Sequence, residues 1–223
     1  MTVSRVAWLI PVSLTLVGFG LNIQSAIAQS TDDTYAFSAE YNTSVTIDPT
    51  FNPDLGIVRA TIIGESTQPA PYGLNFFTSN TYGKLNPVDD PSINKYTFNS
   101  DASVFGLKGQ PVLSDRYYGG SNELFGRASD TAEINFAEGT IKGGGTITFF
   151  DGTGLFKNAT GTMTFTEEDS LSPPGTPSKG LAKLKFSLQA SQPVPEPGAT
   201  TSFVGIAIGA GLILRRYRRK TLL

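Results

Sequence analysis

Cysteine and histidine are both absent from this sequence. Without cysteine no disulfide can staple the fold, so a domain of this size must hold together through its core alone. Without histidine or cysteine there is no Ser-His-Asp or Cys-His nucleophile pair, no zinc site of the ordinary type and no imidazole switch near neutral pH. Acid–base work is left to carboxylates and tyrosines. Tryptophan occurs once, as Trp8, so the rest of the chain would have to stack a sugar on Tyr or Phe. Positive charge is scarce in the middle: residues 29–190 hold 11 basic against 18 acidic side chains, a net charge of −7. The whole-chain value of −2 conceals this, because arginines are concentrated near the end. An acidic middle excludes nucleic acid and anionic lipid as natural partners. That middle also lacks an amphipathic helical window of useful length.

The ends have a different character. Arg5 precedes an apolar stretch from Val6 to Leu21, followed by Ser25-Ala26-Ile27-Ala28-Gln29. A positive start, an apolar middle and small residues at Ala26 and Ala28 are the layout of a secretory signal peptide, with the cut expected before Gln29. Near the other end, Ala199 to Leu214 is an apolar run containing Gly205, Gly209 and Gly211. As a helix it covers about 24 Å against roughly 30 Å of hydrocarbon, a short span. Arg215, Arg216, Arg218, Arg219 and Lys220 follow at once, and such clusters stay cytoplasmic. Both ends therefore place the middle outside.

Val194-Pro195-Glu196-Pro197, the apolar run and the basic cluster, in that order, closely resemble the PEP-CTERM sorting signal of bacterial envelope proteins. The resemblance covers about the last 30 residues. It implies that exosortase, a membrane-embedded enzyme, acts at or near Pro195–Pro197 after the general secretion machinery has exported the chain. It also implies a transient inner-membrane anchor and delivery to the envelope or to an extracellular matrix rich in exopolysaccharide. The physics is compatible, because prolines keep a segment extended and unable to pair into a sheet. The expected organisation is a signal peptide over 1–28, a secreted domain over 29–190 and a sorting tail over 191–223.

Within the domain the hydrophobic period is two. "TYAFSAEY" puts Tyr35, Phe37, Ala39 and Tyr41 on one face; "LAKLKFSLQ" puts Ala182, Leu184, Phe186 and Leu188 on one face; "TAEINFAE" aligns Ala132, Ile134 and Phe136. Further strand-like runs are "GIVRATIIG", "YGLNFFTS", "NKYTFNS", "SVFGLKG", "GGTITFF" and "TGTMTFTE". Turn signals separate them, including Asp48-Pro49, Asn52-Pro53, Asp90-Pro91, Gly119-Gly120, Gly143-Gly144-Gly145, Asp151-Gly152 and Pro173-Pro174-Gly175. The pattern predicts an all-β domain. An antiparallel β-barrel is preferred to a β-sandwich, since closure removes exposed strand edges. A signal helix and a membrane helix are expected at its two ends.

"DGTGLFKNATG" between two of these strands resembles a segment of dirigent proteins and allene oxide cyclase-like, calycin-like barrels, matching at Gly152, Thr153, Gly154, Phe156, Ala159 and Gly161. The resemblance implies a tight Gly-rich connection, Phe156 plugging one end, and close backbone approach at Ala159 and Gly161. The family carries Arg at the place of Thr160, so the segment argues for a fold and not for an activity.

Two acidic groups are candidates for chemistry. Glu167-Glu168-Asp169 reads as a solvated loop, with calcium ligation as the alternative. Asp115, Glu123, Asp130 and Glu133 contain carboxylates that a glycosidase would need, if two of them met at the required separation. The stretch Arg116 to Arg127 is the most unusual one. Its Arg116, Tyr117, Tyr118, Asn122 and Arg127 read as a polar, aromatic loop or broken strand that could grip a sugar or small ligand at a barrel mouth. Asn42-Thr43-Ser44 and Asn158-Ala159-Thr160 match the glycosylation acceptor pattern, but Asn158 is better read as a turn residue. The preferred expectation is a non-catalytic envelope or matrix protein interacting with exopolysaccharide, with no cofactor and no metal. A small-ligand-binding barrel comes second and a dirigent- or cyclase-like enzyme third.

Overall fold

The computed structural model describes residues 31–192, apart from residue 174. The signal segment with Ala26, Ala28 and Gln29, and the tail with Val194–Pro197, 199–214 and Arg215–Lys220, lie outside the described residues. Nine strands follow in order: β1 (Thr31–Asn52), β2 (Ile57–Ser66), β3 (Phe76–Asn86), β4 (Ile93–Asn99), β5 (Asp115–Gly119), β6 (Asn122–Asn135), β7 (Thr140–Thr153), β8 (Thr160–Ser170) and β9 (Ser178–Gln192). No α-helix occurs among the described residues.

All nine strands belong to one antiparallel sheet, ordered β2-β1-β9-β8-β7-β6-β4-β3-β5, and added β2–β3 and β5–β6 pairings turn it into a ring. Strands β4 and β5 share one place in that ring. β3 pairs with β5 through Phe76–Thr78 and with β4 through Tyr82–Asn86. β6 does likewise, with β5 along Asn122–Gly126 and with β4 along Ser129–Asn135. The seam between first and last strands runs without interruption from Thr31↔Gln192 to Val45↔Ser178.

The two-residue period explains the layering. Ala182, Leu184, Phe186 and Leu188 alternate with exposed Lys183, Lys185 and Ser187 along β9. Tyr35, Phe37, Ala39 and Tyr41 face the same interior from β1. There they meet Leu124, Phe149, Phe156 and Met163 in the larger of two interior apolar clusters. Its rings pack edge-on and stacked: Tyr117 lies 5.6 Å from both Phe149 and Phe186, and Phe37 stacks on Phe186 at 4.4 Å. A second cluster of Val58, Tyr96, Phe98, Ile134 and Ile141 packs toward the β6–β7 hairpin.

The β7–β8 connection closes one pole. Phe156 is fully buried, with its ring 5.2 Å from Tyr35 and 5.6 Å from Tyr72, the plugging role that the Gly-rich segment suggests. Gly161 has φ 135°, and a Cβ there would stand 2.3 Å from the Ser187 carbonyl oxygen, so only glycine fits. Asn158 takes the left-handed φ of 58° expected of a turn residue.

Several expectations need correction; Asp48-Pro49 and Asp151-Gly152, for instance, lie inside β1 and β7 and do not separate strands. "SVFGLKG" is not a strand: Ala102–Phe105 forms a 3-10 turn, with the Asp101 carboxylate accepting from the Ser103 amide at 2.9 Å. With Ile57, Tyr82 and Leu113 this segment makes a small core on the outside of the ring, so its apolar residues face the sheet without belonging to it. Phe136 does not continue the face of Ala132 and Ile134; it lies beyond the end of β6 and is exposed. Gly143-Gly144-Gly145 is not a turn but the middle of β7, for a reason that the site makes plain.

Candidate functional site, an acidic belt inside the ring

Between the two apolar clusters the interior turns polar. Strand β8 alternates Met163, Phe165, Glu167 and Asp169 inward against Thr164, Thr166 and Glu168 outward. The register sets Glu167 opposite Gly143 and Phe165 opposite Gly145 on β7, and sets Asp130 of β6 against Gly145 from the other side. The glycines are therefore spaces. A Cβ at Gly145 would lie 2.2 Å from the Asp130 Cβ, whereas one at Gly143 would meet nothing closer than 3.6 Å. The triple glycine breaks the side-chain wall so that acidic side chains can stand inside.

The groups of the belt are Asp115, Asp130, Glu167 and Asp169, joined by Thr43, Ser79, Thr81 and the phenols of Tyr41 and Tyr117. Asp115 and Asp169 are no more than 1% exposed, and Glu167 is 9% exposed. Asp169 Oδ1 accepts from the Thr43 hydroxyl at 2.6 Å, and Asp115 Oδ1 accepts from the Asn80 amide at 3.2 Å. Three buried carboxyl oxygens find no partner: Asp115 Oδ2, Glu167 Oε1 and Asp169 Oδ2. The Tyr41 hydroxyl is satisfied by the Leu74 carbonyl at 2.6 Å.

No cation balances these acids from within. Among the described residues every Lys and Arg side chain is exposed except Lys84, which is half-buried and donates to the Leu55 carbonyl. Burial away from water disfavours a charged carboxylate. Desolvation pushes Asp115 and Asp130 each up to about 7. Glu167 is raised by burial and then by its neighbour Asp169. Asp169 is raised by burial, partly offset by bonds from Thr43 and Glu167. Tyr117, fully enclosed, is driven well above the usual phenol range by burial and then by the surrounding acids.

A cavity of about 50 Å³ lies in the belt, lined by Asp130, Glu167 and Asp169 and walled by Ile62, Phe98 and Ile134. That is room for a few water molecules or one thin ligand group. Among the described residues no group of three acidic side chains is arranged to hold a metal ion.

The acidic residues of the sequence reading are sorted by these strands. Glu167-Glu168-Asp169 is a strand and not a solvated loop, which sends Glu168 out toward Lys142 at 3.6 Å and its two neighbours in. Of the four possible glycosidase carboxylates, Asp115 and Asp130 point inward. Glu123 pairs with Arg116 at 2.5 Å and Glu133 with Lys95 at 3.1 Å, both on the outer surface.

Of the two readings of Arg116 to Arg127, loop or broken strand, the structure gives the second: β5 and β6 form a hairpin that turns at Gly120 and Ser121. Its candidate ligand residues diverge. Arg116 is exposed over the Tyr118 ring at 4.5 Å, and Arg127 is exposed over Phe150 at 5.2 Å. Tyr117 is inside, and Asn122 ties the pole together by donating to the Tyr72 carbonyl at 2.8 Å and accepting from the Leu155 amide at 3.0 Å. Sequence reasoning missed the convergence of Asp130, Glu167 and Asp169. The available signal was the i, i+2 spacing of Glu167 and Asp169 in continuation of Met163 and Phe165.

No protein-family model matches the chain, and neither a curated protein nor a solved structure matches it.

Proposed function

We propose that this chain is an exported bacterial envelope or extracellular-matrix protein. In this reading the secretion machinery removes residues 1–28, exosortase cuts at or near Pro195–Pro197, and the delivered body is a non-catalytic β-barrel that interacts with exopolysaccharide. The sequence order of signal, body, Pro-Glu-Pro, apolar run and basic cluster supports the route. One structural observation supports the processing: residues 31–192 complete the ring by themselves, with β1 paired to β9 down to Thr31↔Gln192. Removal of both ends would open no strand edge, so a processed body keeps the protection against edge-to-edge aggregation that a secreted sheet needs. The proposed barrel of calycin or allene oxide cyclase type rests on that closure and on the Phe156 plug.

Intact-mass measurement on medium and surface fractions of the native host tests the route. A mass starting at Gln29 and ending near Pro195–Pro197 supports it, and a mass that still carries Arg215–Leu223 overturns the sorting.

A second reading, a barrel that binds a small ligand, is favoured by the acidic cavity. The part of the interior around Tyr117, Phe149 and Phe186 is filled with side chains, and small barrels are often solid. The belt is the place where the filling stops. Polar atoms placed without partners in an otherwise apolar cavity are how ligand sites fix orientation.

A further inference from the structure

Buried acids without partners are costly in a protein that has no function for them. Here Glu167 and Asp169 present free oxygens in a cavity whose remaining walls are mostly apolar, Ser79, Thr81 and Asp130 apart, and no basic side chain of the described residues enters. We propose that the belt is a site for a small organic cation, with a primary ammonium group seated on Glu167 and Asp169, Asp130 on the same cavity wall, and a short apolar body against Ile62, Phe98 and Ile134. The proposal rests on the ligand-binding reading and names its ligand class.

The chemistry favours an ammonium over the other cations. Calcium takes six to eight oxygens and magnesium a regular octahedron, and the acids of the belt form no such group. An ammonium presents three N–H donors on one point charge, so it needs only a few acceptors and no full shell, and Glu167 and Asp169, two residues apart on β8, each leave one oxygen free. A guanidinium wants a planar, two-oxygen contact on one carboxylate, whereas Glu167 and Asp169 each leave a single oxygen without a partner. The space itself is built by Gly143, which lines the cavity opposite Glu167.

Other groups could alter the charge of the site, and the strands around it supply them: Asp115 from β5, Tyr117 from β5 and Tyr41 from β1. All of these are acids, so none repels a cation.

The test is calorimetric titration of the protein purified from its host at pH 8, at fixed ionic strength, with n-butylammonium and separately with n-butanol. Saturable binding of the amine, at least tenfold tighter than the alcohol and weakened at least tenfold in Glu167→Gln and in Asp169→Asn, is the expected result. Equal binding of amine and alcohol would overturn the ammonium site and leave a ligand-binding cavity. Binding of neither would overturn both. Gly143→Val gives a check that leaves the acids in place: a Cβ there stands in ordinary contact with the Thr131 carbonyl and the Ala132 Cβ, 3.6 and 3.7 Å away, on the cavity wall, and the variant should abolish amine binding at unchanged far-UV dichroism. Retained binding in that variant would put the amine elsewhere and refute the site.

Discussion

If three buried acids and the half-buried Asp130 stand inside without a cation, the protein must lose stability as they ionise. The sign follows from linkage: a carboxyl held near 7 in the fold and near 3.8 in the open chain retains more protons when folded. Its stabilising contribution is therefore complete below about 3.8 and is lost as pH rises through about 7. Over that interval each such group removes about 1.4 kcal/mol per pH unit. Asp115 and Asp130 together withdraw on the order of 5 kcal/mol between pH 5 and 8, comparable with the whole net stability of a typical domain. The Glu167–Asp169 pair acts in the same direction. The window is unusually clean because the chain has no histidine to titrate within it. The outer carboxylates of Asp48, Asp90 and Asp101 are held low by their hydroxyl and amide bonds and are already ionised by pH 5. Urea unfolding followed by far-UV dichroism at pH 5, 6, 7 and 8 should show the midpoint falling steadily. Asp130→Asn, which removes one titrating group, should flatten the fall by up to about 1.4 kcal/mol per unit. A midpoint that is constant or rises from pH 5 to 8 would refute the argument that these acids are desolvated.

Phe156→Ala should cost about 3–5 kcal/mol in urea unfolding, since the ring is fully buried against Tyr35 and Tyr72 and leaves a cavity at the pole. Gly161→Ala should also destabilise by several kcal/mol, because its backbone is at positive φ and the Ser187 carbonyl blocks a Cβ, whereas Gly143→Ala should be near neutral; equal effects of the two on thermal midpoint would contradict the packing described. Arg116→Ala should change stability by less than about 1 kcal/mol, as its pair with Glu123 lies on the surface; a larger loss in the same urea assay would show that the hairpin depends on that pair.

The sequence by itself determined which faces of most strands are apolar, because a period of two needs only local information. Tyr35-Phe37-Ala39-Tyr41 and Ala182-Leu184-Phe186-Leu188 are read directly, and so are the β7–β8 connection and its Phe156. The same rule failed where the inward residues are not apolar. Glu167 and Asp169 have the composition of a solvated loop, and Gly143-Gly144-Gly145 that of a turn, yet both stretches lie in strands. "SVFGLKG" failed in the opposite way, since its apolar residues serve an outer patch. Only the tertiary structure decided that Asp130, Glu167 and Asp169 share one cavity. Local pattern gives each strand an inside and an outside, but which insides meet is fixed by register across β6, β7 and β8 and by closure of the ring. The missing side chains of the glycines make room there, and the absence of any interior base leaves the acids facing one another.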